Sequence, residues 1–139
     1  MTGRKKGFTL IELMIVVVII VALASMVVPR LSGRTEQAKK AVAKADIGSN
    51  ISMALKLYEL DNGNFPTTEQ GLAALASSPS SAPVPSNWNG PYLETIPADP
   101  WGNPYKYKCP GSHNKTTYDL YSVGKDGLEE TDDDIKNWK

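Results

Sequence analysis

Two stretches of this chain carry residues whose types could do chemistry, and they stand near opposite ends. The first is Glu12, a carboxylate inside an apolar run from Phe8 to Val28, where the other polar residues are Thr9 and Ser25. The second is Val123 to Ile135, where six acids fall within the nine residues Asp126 to Asp134. Between them lie one histidine, His113, in a polar turn, and one cysteine, Cys109. A lone Cys cannot form an intramolecular disulfide, and it reads as a small part-buried residue. His113 reads as a solvated loop residue. No nucleophile, base and orienting acid cluster in the pattern that covalent catalysis needs.

Glu12 is the most expensive residue in the chain. A carboxylate at mid-membrane costs about 2.5–3.5 kcal/mol on insertion scales. Its place near the start of the run allows partial snorkelling, and a cation would lower the cost further. Lys5 and Lys6 are nearby candidates. A cut between Gly7 and Phe8 would create another, the new α-amine of Phe8, four residues before Glu12. Between staggered neighbouring helices, one chain's Glu12 could meet another's amine, which would set a packing register. The alternative is a Glu merely tolerated at the interface.

The acidic stretch repels itself in water, and a hard cation would relieve that. Ca²⁺ takes 6–8 oxygens from carboxylates and carbonyls in flexible loops. Gly124 and Gly127 permit the tight turns that such a loop needs. The spacing is not that of an EF-hand. A solvated acidic tail is the other reading, against which Ile135 and Trp138 offer apolar groups that can pin the loop to a domain.

The elements that must position these groups follow from hydrophobic patterning. Phe8 to Val28 is 21 residues, roughly 30 Å as a helix and enough to cross a hydrocarbon core. In lipid, helix is the state that satisfies its backbone. Arg4, Lys5 and Lys6 precede it and hold that end in the cytoplasm. The run is long for a cleaved signal peptide, and no small-x-small site follows it. Pro29 removes an interior hydrogen bond, so a bend is expected near Ala24 to Val28. Beyond it Ile47, Ile51, Ala54, Leu55 and Tyr58 recur at helical spacing. Asp61-Asn62-Gly63 then ends the helix, which is expected to run from Phe8 to about Leu60. Thr67 and Gln70 have capping-box spacing, which predicts a short helix from Thr68 to Ala76 with Leu72 and Leu75 inward. Ser77 to Ser86 reads as an exposed Ser/Pro loop. Tyr105 to Lys108 and Tyr118 to Val123 read as paired strands. Trp88, Tyr92, Trp101, Tyr105 and Tyr107 read as core aromatics. The expected class is α+β: a long N-terminal helix packed on a small domain with a short antiparallel sheet.

The chain has 15 basic and 15 acidic residues. Loss of Arg4, Lys5 and Lys6 would leave 12 against 15, a net side-chain charge of −3. No basic patch suggests a nucleic-acid partner, and no Gly-rich phosphate loop is present.

The string KKGFTLIEL, with Gly7, Phe8 and Glu12 so spaced, resembles the class III signal of type IV pilins and their relatives. DNGNFPTTEQGLAAL, DPWGNPYKY, YDLYSVGKDG and DDDIKNW are similar to the major pseudopilin family of type II secretion, so the likeness covers nearly the whole chain. The resemblance implies that a prepilin peptidase cuts after Gly7 and methylates Phe8, and that Glu12 serves assembly. It implies a leader over 1–7, a transmembrane and filament-core helix over 8–28, and a periplasmic domain over 29–139. That domain would comprise the helix continuation 29–60, a loop and short helix 61–87, and the β region with its cation loop 88–139. It further implies a structural, non-enzymatic subunit of the bacterial inner membrane that forms a homopolymer. Its partners would be minor pseudopilins and an inner-membrane secretion platform. Calcium would be held by the side chains of Asp126, Asp133 and Asp134, with the backbone carbonyls of Val123 and, more weakly, Lys125. The family loop has more glycine where Glu129 to Asp132 stand here, which leaves open whether Asp132 replaces Asp133. The alternative is a type IV pilin used in adhesion, motility or DNA uptake, against which the absence of a Cys pair and the acidic tail both count. Glu12→Ala is expected to be cleaved normally yet to assemble poorly, and a normal filament yield from that variant would remove the pairing role.

Overall fold

The computed structural model describes Gly3 and residues 6–139. Arg4 and Lys5, to which the cytoplasmic anchoring is assigned, lie outside the described residues, as does most of the leader span 1–7. Helical residues run from Leu10 to Asn62. They comprise helix α1 (Leu10–Ala45), a π turn (Asp46–Asn50) and helix α2 (Ile51–Asn62). Helix α1 runs through Pro29. The chain divides into two compact units, Met1–Gln37 and Ala38–Lys139.

The first unit is the apolar helix. Its side chains from Phe8 to Val28 stand exposed on all sides. A helix this long and apolar can cross a membrane, and none of its most apolar window is buried within the chain. Such all-round hydrophobicity has no place on a water-facing surface.

The second unit holds the core. Ala43, Ile47, Ile51, Ala54, Leu55 and Tyr58 are buried along one helix face, the stripe that the spacing predicts. They meet Leu72, Ala74 and Leu75, then Tyr105, Tyr118, Leu120 and Ile135 from the C-terminal half. Trp88, Tyr92, Trp101, Tyr107 and Cys109 pack partly buried around that cluster. Gly63 ends α2 in the left-handed conformation, φ 80°, with its N–H on the Glu59 carbonyl at 2.7 Å. This is the glycine stop that releases a helix into a turn.

Three short strands form one antiparallel sheet in the order β1 (Lys106–Lys108), β2 (Asp119–Ser122), β3 (Ile135–Lys136). Tyr107 pairs with Leu120, and Ser122 pairs with Ile135. The two expected strands form within their predicted limits, and β3 adds a third that brings the end of the acidic stretch back onto the sheet.

The helix expected over Thr68–Ala76 is corrected to a 3-10 turn, Leu72–Leu75. The capping-box bonds do form: Gln70 N–H donates to Thr67 Oγ1 at 3.2 Å, and Thr67 N–H to Gln70 Oε1 at 3.0 Å. Gly71 then turns to φ 61° and ends the turn before an α-helix can propagate. Leu72 and Leu75 still point inward. The Gln70 amide donates to the carbonyls of Ser81 and Pro83, both at 2.9 Å, and so ties the exposed Ser/Pro loop to the domain.

The π turn was not foreseen. It coincides with a polar contact in the core: Asp46 accepts from Asn50 Nδ2 and from the Tyr105 hydroxyl, both at 2.7 Å. Burial, with the neighbouring Asp46 adding to it, pushes the Tyr105 phenol far above its ordinary pKa. The phenol is the donor of this bond and Asp46 the acceptor. Tyr105→Phe would strand the buried Asp46 oxygen, so it should lower unfolding stability by about 1–3 kcal/mol in urea denaturation; an unchanged midpoint would show that the contact contributes nothing.

Candidate functional site

At the N-terminal end, Glu12 is bound within its own chain. Thr9 N–H donates to Glu12 Oε2 at 2.9 Å, and Glu12 N–H donates to Thr9 Oγ1 at 3.3 Å. With α1 beginning at Leu10, Thr9 is the N-cap and Glu12 the third helical residue, which makes this a reciprocal capping box. Sequence reasoning sought Glu12 a cationic partner and missed this local one, although the T-x-x-E signal was there to be read. Gly7 and Phe8 precede the helix in irregular backbone, and both are exposed.

At the other end, the acidic stretch folds into a loop between β2 and β3. Carboxylate oxygens of Asp126, Asp133 and Asp134 come within 4.8 Å of one another. Asp132 is not a member of that group. The loop draws its acids together with its own donors. Asp126 N–H donates to Asp133 Oδ2 at 3.0 Å, and Glu130 N–H to Asp134 Oδ2 at 2.9 Å. Thr131 Oγ1 donates to Asp133 Oδ1 at 2.6 Å and lies 3.2 Å from Asp134 Oδ1. The Thr131 hydroxyl, followed by the Asp126 amide, holds the Asp133 carboxyl at about 2, well below the usual carboxylate range. Asp133 is thus an anion across the physiological range. Thr131 was missed because nothing in its neighbours distinguishes it from a spacer.

Gly124 and Gly127 both take positive φ, 67° and 69°. Only at Gly124 is the space also closed: a Cβ there would lie 2.5 Å from the Asp133 carbonyl and 2.6 Å from its Oδ2. At Gly127 the nearest atom to such a Cβ is Asn103 Nδ2 at 3.9 Å. Glu130 also has positive φ, 63°. Val123 is buried and Lys125 exposed. Three converging carboxylates on a loop that two glycines turn offer hard oxygen donors, and the residues present fit a metal ion of that preference.

His113 and Trp138 close the domain's end. Their rings stack 4.2 Å apart, 7° from parallel. Asp119, only 3% exposed, accepts from His113 N–H at 2.9 Å and Asn114 N–H at 2.8 Å. Burial raises the Asp119 pKa, but those amides and the His113 ring outweigh it and leave the carboxyl below its ordinary value. His113 is the exposed loop residue that the sequence suggests, with one ring face stacked on Trp138. Cys109 is half-buried, with its thiol pushed up by burial and its Sγ 3.6 Å from the Thr117 carbonyl. A protonated, part-buried thiol has little nucleophilic character.

Residues 30–138 match the family described as type II secretion system (T2SS) protein G, and residues 2–28 match the prokaryotic N-terminal methylation motif. The chain belongs to the type II secretion system protein G family. It is 52% identical over 139 residues to the type II secretion system core protein G of Pseudomonas aeruginosa, covering 97% of this chain and 96% of that one. To the core protein G of Escherichia coli K12 it is 49% identical over 138 residues, covering 99% and 93%. The crystal structure of the major pseudopilin from the type 2 secretion system of enterohaemorrhagic Escherichia coli superposes with a TM-score of 0.69. That likeness is at 39% identity and covers 78% of this chain and 89% of that one. This protein is accordingly a structural pseudopilin subunit of type II secretion, not an enzyme. Its fold is pilin-like, and among the described residues one N-terminal helix is long and apolar enough to cross a membrane, in keeping with an inner-membrane pseudopilin whose C-terminal domain lies in the periplasm.

The two loop glycines separate conformational strain from steric closure. Both Gly→Ala changes force an L side chain to positive φ, at about 1–2 kcal/mol. Gly124→Ala must also displace Asp133, so it should destabilise the domain clearly more than Gly127→Ala in parallel urea melts. Equal losses would mean that Asp133 yields freely.

Proposed function

We propose that the mature chain polymerises into a short periplasmic filament whose growth drives folded exoproteins through an outer-membrane channel. The observation that carries this is the pairing, in one chain, of a membrane-length helix with a folded acidic loop, in a protein of this family. Prepilin peptidase cuts after Gly7 and methylates Phe8. The apolar helix then leaves lipid for a bundle of its own copies, with the small domain outside. Glu12 acts during recruitment and register of each new subunit. Minor pseudopilins and the inner-membrane secretion platform are its partners, and a cytoplasmic ATPase elsewhere supplies the work.

The acidic loop holds calcium. Asp126, Asp133 and Asp134 would supply carboxylate oxygens, and Val123 and Lys125 backbone carbonyls. The ion would neutralise charge that the loop otherwise balances with N–H groups and one hydroxyl. Its role is structural: it closes the segment between β2 and β3.

Deletion of this protein should trap folded exoproteins in the periplasm; secretion that continues unaffected, with a surface pilus lost, would assign the chain to adhesion or motility instead. Chelation should lower the melting temperature of the purified protein, and added Ca²⁺ should restore it. A melting temperature indifferent to both would remove calcium from the account.

A further inference from the structure

We infer that Asp99 and Ser122 form a buried relay that aims the Val123 carbonyl at the cation loop, so that both are positioning residues for its site. The inference rests on the cation reading of that loop. Asp99 is 4% exposed and Ser122 fully buried. A carboxylate so far from water needs partners, and Asp99 has them on both oxygens. Its Oδ1 accepts Trp101 N–H at 3.1 Å and Asn103 N–H at 2.8 Å, closing the Asp99–Pro104 turn. Its Oδ2 accepts the Ser122 hydroxyl at 2.6 Å.

That last bond has a directional consequence. A hydroxyl has one proton to give. With that proton committed to Asp99, the Ser122 lone pairs face elsewhere, and Gly124 N–H donates to Ser122 Oγ at 3.1 Å. Gly124 N–H and the Val123 carbonyl belong to one planar peptide, and in a trans peptide they point in opposite directions. The bond between Val123 and Gly124 is not among the cis peptides of the chain. Fixing the N–H on Ser122 therefore fixes the carbonyl on the opposite side. The same Gly124 abuts Asp133, since an added Cβ would lie 2.6 Å from its Oδ2. One buried bond thus sets two proposed ligands, the carbonyl of Val123 and the carboxylate of Asp133. The turn also borders the second loop glycine, through Asn103 Nδ2 near Gly127.

The test uses the full-length chain in detergent, with calcium chloride as the probe in calorimetric titration. Ser122→Ala removes the relay's centre. Asp99→Asn keeps the turn's acceptor and puts a donor where Ser122 expects an acceptor. Each should weaken Ca²⁺ binding about 10- to 100-fold and shrink the gap between chelated and calcium-loaded melting temperatures. The Gly124 amide proton should move upfield in Ser122→Ala. A merely structural role predicts equal loss of melting temperature with and without Ca²⁺, and an unchanged dissociation constant; that result overturns the relay. If the unaltered protein binds no Ca²⁺, the cation reading itself fails and the relay's role goes with it, whereas normal binding by the unaltered protein and both variants removes the relay alone.

Discussion

A backbone that follows turns instead of ladders leaves N–H groups that must find acceptors. The C-terminal half of this protein faces that constraint severely, because its strands are two to four residues long. Side-chain oxygens do the work that sheet carbonyls do elsewhere. Asp99 collects the amides of the Asp99–Pro104 turn, and Asp119 collects those of His113 and Asn114. Asp46 takes the Tyr105 hydroxyl across to the helix. Asp133 and Asp134 do the same for the amides of the acidic loop, closer to solvent. Remove these carboxylates and the apolar core would still exist, but the path of the chain around it would not be specified.

The helical half was legible because periodicity encodes a face. Ile47, Ile51, Ala54, Leu55 and Tyr58 are buried as their spacing says, and Asn62-Gly63 stops the helix by a local rule. Both strands were legible from alternation and turn residues. The departures have two causes, a contact from far along the chain in one case and a single local glycine conformation in the other. The π turn coincides with a bond between Asp46 and Tyr105, 59 residues apart. The 3-10 turn depends on Gly71 taking positive φ, which a glycine permits but does not announce. Of the candidate site, Asp126, Asp133 and Asp134 were named from the sequence and come together. Thr131, Asp99 and Ser122 were not, since a lone hydroxyl or an Asp before Pro is the commonest loop chemistry there is.

The two ends of the molecule solve opposite versions of one problem. The N-terminal helix exposes apolar surface that only lipid or other copies can cover. The C-terminal loop gathers like charges that only a cation or donors can quiet. On the proposed assembly, in which the helix leaves lipid, a subunit gains from having both, since its domain must hold its shape in water.

The capping box at the head of α1 bears on that change of surroundings. Its two bonds join Thr9 to Glu12 and involve no atom before the peptide linking Phe8 to Thr9. A cut between Gly7 and Phe8 would therefore leave the helix end fully tied. The leader can be shed as a wrapper is, without unpicking the first turn of the thread beneath.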